Sequence, residues 1–475
     1  MTSLLDLPVL LDAVSGFCLG DTDFSLKRGF SSVATDSRNV KNGSLFVPLI
    51  GENQNGHIYI KSALEKGAAV VFVEQVEYDG AKSKYDNMAK EHTDVAFIVT
   101  KNNLHALQAA AASYVDKFPD LIRIGVTGSS GKTTTKEILV SILSQKYKVI
   151  ANEGNLNSET GLPLSVFNIR KEHEVGVFEM GMNRVDEIGE LSHVLRPKYA
   201  VVTNIGTAHI GILGSRENIA NEKKKIFSQF DDNCFAFIPE DDDFCSYLAE
   251  NTKGKVIKYG ADSDNRIIFE EDCGLKGSKF SVDGLSMILG IPGIYNYRNA
   301  CAAVNVALSL GLTPEEIKKG VEAMKTIFGR CEVLNEKYTI IQDCYNANPD
   351  SMEKAIDFCS SVKYDGKKIF VLGDMLELGA DSKAEHAKIG NLALHSSADV
   401  VIFVGDEMKN AYDSVAESIE SLSSKKILYF SGRDNVVMQK ICDIILRIAS
   451  NGDLILLKAS RGMGLERLTK LLLGK

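Results

Sequence analysis

The run Gly125-Val126-Thr127-Gly128-Ser129-Ser130-Gly131-Lys132-Thr133-Thr134 has the residue types and spacing of a loop that holds phosphate. It follows the apolar run 121–126 and precedes a stretch, 136–145, whose apolar residues recur at helical spacing. Backbone N–H groups of a glycine loop that opens a helix point at anionic oxygens, Lys132 adds a compact positive charge, and the Thr133 hydroxyl can face Mg²⁺. The chain is therefore expected to use a nucleoside triphosphate. The strict pattern has glycine five places before Gly131, where Val126 stands, so this is a variant of the loop. A glycine-rich turn that binds nothing seldom carries Gly-Lys-Thr at the start of its helix.

Other polar residues fall at the ends of apolar runs, where packing gives little reason for them. Glu179 ends the run 175–178 and could hold Mg²⁺ directly or through water; a helix-capping carboxylate is the plainer alternative. His209 follows the run 199–203, where it could join a metal or phosphate site, although a lone histidine is more often structural. Lys223, within Glu222-Lys223-Lys224-Lys225, reads by charge alone as part of a solvated helix face. Thr35-Asp36-Ser37-Arg38 reads by itself as the start of a polar turn.

The elements that must carry these groups divide into three α/β domains. Residues 1–118 form a small mixed α/β domain, with strands expected at 45–49, 68–73 and 95–99, a helix at 59–66, and a long helix at 104–118 that stops at Pro119. In residues 119–328, strands at 122–126, 148–151, 175–178, 199–203 and 234–238 alternate with helical stretches, the rhythm of a parallel sheet carrying the phosphate loop. Residues 329–475 repeat that rhythm at 339–342, 369–372, 400–404, 427–430 and 454–457, a Rossmann-like domain without the GxGxxG fingerprint of a bound dinucleotide.

Composition narrows the class. With 44% hydrophobic and 25% charged residues among 475, the chain can bury real cores and is neither disordered nor fibrous. Its start lacks a basic region before an apolar core, and no run is long enough to span a membrane, so a cytoplasmic enzyme without membrane insertion is expected. Nine cysteines without a CxxC pair argue against zinc clusters and disulfide frameworks. A net charge of −9 disfavours nucleic acid as a partner.

Together these residues resemble the Mur ligases of peptidoglycan synthesis, whose relatives include folylpolyglutamate synthetase. Thr127 to Thr134 is similar to the family's TGTNGKTT, which accounts for the missing first glycine. Asn155-Leu156-Asn157-Ser158-Glu159-Thr160-Gly161-Leu162-Pro163 resembles its NxNNxxGxP element, and Ile291 to Ala300 its GxHNxxNxxAA, with Tyr295 in place of histidine. Asp343-Cys344-Tyr345-Asn346-Ala347-Asn348-Pro349-Asp350 and Gly373-Asp374-Met375-Leu376-Glu377-Leu378-Gly379 resemble the branch that adds D-alanyl-D-alanine, not the branch that adds the third amino acid. Gln342 stands where that branch often has aspartate, and Lys458-Ala459-Ser460-Arg461 departs from its Lys-Gly-Ser-Arg.

The resemblance implies an ATP-dependent ligase that joins D-alanyl-D-alanine to UDP-N-acetylmuramoyl-tripeptide through an acyl phosphate. Thr127, Gly128, Ser129, Ser130, Gly131, Lys132, Thr133 and Thr134 would hold the phosphates, and Thr133 and Glu179 would bind Mg²⁺. His209 would complete a second metal position, and Lys223 matches a lysine that many members carry as a carbamate, a carboxylate-like metal ligand. Asn296 and Asn299 fit adenine contacts, Arg330 the terminal phosphate, and Asp343 the ribose or closure region, with Tyr345, Asn346 and Asn348 nearby. Thr35, Asp36, Ser37 and Arg38, with Asn55, Gly56 and His57, resemble the grip on the uridine nucleotide; Asn155, Asn157 and Thr160 are assigned to substrate as well. A monomer is expected. Because nucleotide elements are split between 127–299 and 330–348, the third domain is expected to close on ATP. A sister ligase adding a single amino acid, a nucleotide-dependent switch protein and a simple P-loop kinase are the alternatives.

Overall fold

A computed structural model describes residues 3–20, 29–260, 265–419 and 425–474. Its centre is a six-stranded, all-parallel sheet in the order Lys255–Tyr259, Phe235–Pro239, Tyr199–Val202, Ile122–Thr127, Val175–Glu179, Val149–Ala151. Alternating residues along its strands enter two different cores: Ile124, Val126, Val177 and Val201 on one face, Phe178, Ala200, Val202 and Ala236 on the other. Burial on both faces is why the inner strands read as apolar runs; the edge strand Lys255–Tyr259, with Lys255 and Lys258 exposed, was not expected. Ile122–Thr127 lies between Tyr199–Val202 and Val175–Glu179, so the loop leaving it opens at the crevice beyond the strand ends where such sheets take ligands.

The helix after the loop spans Lys132–Leu143, four residues earlier than its apolar periodicity starts. Its first turn, Lys132-Thr133-Thr134-Thr135, is polar, so the hydrophobic pattern could not mark the true start.

The N-terminal sheet runs Phe17–Cys18, Ala96–Thr100, Val70–Glu74, Ser44–Phe46, Ser32–Ala34, parallel except for its first pair. Helix Asn103–Val115 packs on helices Gly161–Val166 and Glu187–Leu195 of the middle unit, and Leu107, Ala111, Leu162, Val166 and Leu191 share one core. The third unit carries a six-stranded sheet in the order Glu332–Asn335, Thr339–Asp343, Leu454–Lys458, Lys368–Gly373, Val400–Val404, Lys426–Phe430, parallel apart from the Glu332–Asn335 edge. The architecture is thus the three-domain α/β arrangement expected, with a Rossmann-like third unit.

Several elements were not anticipated. The antiparallel sheet Ile267–Asp272, Ser278–Val282, Leu285–Leu289 leaves Ile268 and Ile288 exposed and shifts register between Phe269 and Glu271, so it carries no clean period-two signal. Strands Phe17–Cys18 and Ser32–Ala34 are too short to show a pattern. All nine cysteines are free and seven are buried. Among the described residues no helix is long and apolar enough to cross a membrane.

Candidate active site

The phosphate loop turns sharply because two glycines permit it. Gly128 and Gly131 have φ of 149° and 81°; a Cβ at the first would overlap Thr203 Oγ1 and at the second Asn299 Oδ1. Val126 fills the family-variant position as a fully buried strand residue, so the turn starts after it. Asn204 braces the loop from the next strand end, accepting the Ser129 amide on its carbonyl and the Ser130 amide on Oδ1, each at 3.0 Å. The first amides of helix Lys132–Leu143 have no partner within the helix and are left for an anion.

Lys132 Nζ donates to the Gly128 carbonyl at 2.9 Å, folded across the loop. Burial pushes its pKa down and Arg330 adds to this, while Glu179 opposes both. Thr133 Oγ1 donates to Glu179 Oε2 at 2.8 Å, and Asn157 Nδ2 donates to Glu179 Oε1 at 2.6 Å. Glu179 itself is 3% exposed. Arg330 comes from the third unit: its Nη2 donates to Thr133 Oγ1 at 3.0 Å, its guanidinium lies 4.2 Å from the centre of the Tyr345 ring, and its Nε is buried without a partner among the described residues. Two cations against one carboxylate leave a local positive charge suited to a polyphosphate tail.

These groups line one cavity of about 640 Å³, bounded by Ser129 to Thr134, Glu179, His209, Asn296, Arg330 and Asn348 among others. Asp343 pairs with Lys458 at 2.8 Å and accepts the Cys331 amide at 3.2 Å; Lys458 also donates to the Asn346 carbonyl. Tyr345 and Asn346 line the same wall. Asn299 donates to Asn296 Oδ1, and Asn296 to the Pro292 carbonyl, so this pair stands beside the loop at the start of helix Ile294–Ser309. Tyr295, at the family's histidine position, donates to Cys331 Sγ at 3.4 Å and packs against the core of the third unit. Burial pushes its phenol pKa well up.

Thr133 and Glu179 are the hard oxygen donors Mg²⁺ accepts, and Mg²⁺ is commonly held by one or two protein ligands plus phosphate oxygens. Among the described residues there is no group of three or more His, Cys, Asp or Glu that could hold a metal ion. His209 is set apart from Glu179 in its contacts: its Nδ1 lies 3.4 Å from Glu377 Oε2 of the third unit, an interaction that lowers the Glu377 pKa. Lys223 is not on a solvated face. It is 1% exposed, and burial together with the nearby Lys132 drives its pKa well below the lysine range, against the opposing pull of Glu222. The triple-lysine run hid this, because only Lys224 and Lys225 have surface partners.

The remaining expected residues lie outside that cavity or at its edge. Asn155 is exposed, whereas Thr160 lines a smaller adjoining pocket with Ser158, Asn183 and Arg184. In the first unit, Arg38 forks onto Asp36 and its hydrogen bond holds that carboxyl at about 2; Thr35 is half-buried and Ser37 buried beside them. His57 is buried, bonded through Nδ1 to Asn55 Oδ1 and accepting the Glu74 amide on Nε2, so it ties the Asn55-Gly56 turn to the sheet as a neutral imidazole, burial keeping its pKa down. Asn152 was missed by sequence reasoning. Its Oδ1 accepts the Glu179 amide and its Nδ2 donates to the Glu179 and Leu156 carbonyls. Lys458 was legible only as one letter of Lys-Ala-Ser-Arg. Gln342, in place of aspartate, accepts from Thr469 and donates to Glu332.

A triphosphate loop in a parallel sheet, reached by an arginine from a Rossmann-like unit, defines a nucleotide-dependent enzyme of three α/β domains. The chain belongs to the Mur ligase family. The family descriptions match in three pieces: Mur ligase family, catalytic domain, over residues 30–115; Mur ligase middle domain, over 126–307; and Mur ligase, glutamate ligase domain, over 329–461. A Treponema pallidum protein named UDP-N-acetylmuramoyl-tripeptide–D-alanyl-D-alanine ligase is 42% identical over 447 residues, covering 94% of each chain. A Bacillus subtilis protein of the same name is 34% identical over 446 residues, covering 92% of each. Among solved structures, MurF from Acinetobacter baumannii matches with a TM-score of 0.84 at 29% identity over 99% of both chains. MurF ligase from Thermotoga maritima in complex with ADP matches with a TM-score of 0.78 at 28% identity, covering 93% of this chain and 96% of that one.

Proposed function

We propose that this chain is an ATP-dependent, ADP-forming ligase that joins D-alanyl-D-alanine to UDP-N-acetylmuramoyl-tripeptide in peptidoglycan synthesis, giving the UDP-linked pentapeptide. The observation that carries this reading is the Thr133 hydroxyl, bonded at once to Glu179 of the middle unit and Arg330 of the third. A phosphate-transfer centre is thereby completed only by a domain that a simple P-loop kinase or switch would not need. The relatives' shared name supplies the substrates.

A carboxylate is a poor electrophile, so the reaction needs it activated. The tripeptide's terminal carboxylate attacks the γ-phosphorus, the bond to the β–γ bridging oxygen breaks, and ADP leaves. Lys132, Arg330 and the loop amides offset the charge on the transferring group. Mg²⁺, held by Thr133 and Glu179 with carbamylated Lys223 and His209 toward a second position, would neutralise phosphate charge as a Lewis acid. The free amine of the dipeptide then attacks the acyl carbon; the C–O bond to phosphate breaks, phosphate departs, and the amine proton passes to solvent. Orientation of both reactants is worth on the order of 7 kcal/mol or more.

In this reading the units 1–118, 119–328 and 329–475 bind the uridine nucleotide, ATP and the incoming dipeptide respectively. The enzyme works as a monomer in the cytoplasm without a nucleic-acid partner, in keeping with its net charge of −9. Phosphate release with ATP, tripeptide substrate and dipeptide, each omitted in turn, is expected only when all three are present. Release without the dipeptide, or with a single amino acid in its place, removes the assignment.

A further inference from the structure

Asp350 is the second residue of helix Pro349–Ser361, yet its carboxylate serves the middle unit. Its Oδ2 accepts the Thr207 amide at 2.6 Å and the Thr207 hydroxyl at 2.8 Å, 143 positions away. The approach is close: a Cβ at Gly206 would overlap Asp350 Oδ2. Gly211 touches the other end of the same interface, where a Cβ would lie 2.8 Å from the Gly379 amide nitrogen.

The far side of the 203–207 segment is bonded to the phosphate loop. Gly206 N–H donates to Ser129 Oγ at 2.9 Å, Thr203 Oγ1 donates to the Ser130 carbonyl at 2.5 Å, and Asn204 accepts both the Ser129 and Ser130 amides. One short segment is therefore held by the third unit on one side and shapes the ATP site on the other. Isolated surface ion pairs contribute little. This carboxylate differs because it is half-buried, sits at a helix N-terminus that favours negative charge, and accepts two hydrogen bonds from one residue.

We propose that Asp350 is a positioning residue: by gripping Thr207 it latches the third unit shut and, through Gly206 and Ser129, fixes the phosphate loop in its working shape. The latch excludes water while the acyl phosphate exists, so losing it uncouples phosphate release from peptide-bond formation. Its catalytic consequence rests on the ligase reading above; the geometric consequence does not.

The test compares Asp350→Ala, Thr207→Val, Gly206→Ala and the Gly206→Ala/Asp350→Ala double variant with the unsubstituted enzyme. Small-angle scattering with a non-hydrolysable ATP analogue should show the single variants more extended. kcat should fall about tenfold or more with KM for the tripeptide substrate nearly unchanged, and more than one phosphate should be released per pentapeptide made. Gly206→Ala should add nothing in the Asp350→Ala background, where the overlapping carboxylate is gone. Asp350→Ala and Thr207→Val enzymes with unaltered scattering and one phosphate per product would overturn the latch. If the unsubstituted enzyme forms no peptide bond the ligase reading falls, and the scattering comparison still decides the latch.

Discussion

Arg330 Nη2 donates to Thr133 Oγ1 at 3.0 Å across 197 positions of sequence, so the third unit places a guanidinium on the hydroxyl of the phosphate loop itself. The same guanidinium lies 4.2 Å from the centre of the Tyr345 ring, and both residues line the cavity. Arg330→Ala should lower kcat about 100-fold or more while the thermal midpoint stays within a few degrees, because one donor to the transferring phosphoryl group is lost. Arg330→Lys should recover little, since an ammonium neither forks nor stacks in the same way. Steady-state kinetics of pentapeptide formation checks both.

Lys132 makes one bond, to a loop carbonyl, and its burial already disfavours its charge. Lys132→Ala should therefore abolish turnover and leave the fold intact, with circular dichroism and the melting curve close to those of the parent. A near-normal rate would refute the assignment of the loop.

The inner strands of the two six-stranded sheets were legible because they are buried on both faces and read as plain apolar runs, Val400–Val404 to the residue, whereas the edge strands Lys255–Tyr259 and Glu332–Asn335, which carry exposed residues, were not. The phosphate loop was legible because Gly, Lys and Thr at that spacing have few other uses. What sequence could not reveal was reach. Asp350 and Thr207, or Lys458 and Asp343, are ordinary polar residues until the fold brings them within 3 Å. Lys223 misled in the opposite direction, since charge patterning cannot tell which of three consecutive lysines turns inward.

Glu179 has both carboxylate oxygens engaged, one by Thr133 and one by Asn157, and its backbone by Asn152. Such outer partners commonly govern metal affinity 10- to 100-fold. Removing Mg²⁺ with a chelator should stop turnover, and re-addition should restore it. Asn157→Ala should raise the half-saturating Mg²⁺ concentration by roughly tenfold or more, with less effect on kcat at saturating metal. A Mg²⁺ titration that superimposes on that of the parent would show that Asn157 does not orient the carboxylate.

Lys223 offers a pH dependence whose sign follows from burial. Its folded pKa lies well below the unfolded value near 10.5, because desolvation and the neighbouring Lys132 both disfavour the ammonium. Between the folded and unfolded values the unfolded chain holds the extra proton, so stability rises with pH; below the folded value the full cost of charging the buried amine is present. Lys223→Met keeps the stem and removes the ionisable group. In metal-free, CO₂-stripped buffer near neutral pH it should melt higher than the parent, by about 1–3 kcal/mol of unfolding free energy, and that advantage should shrink as pH approaches 10.5. The lowered pKa favours the neutral amine, the form that attacks CO₂, in which an N–C bond forms, one C=O π bond opens, and a proton goes to solvent. Bicarbonate should therefore restore activity to the stripped parent, with intact mass rising by one CO₂, and should do nothing for Lys223→Met. A stripped parent with full activity, or a Lys223→Met protein that ligates normally, would show that the buried amine is structural.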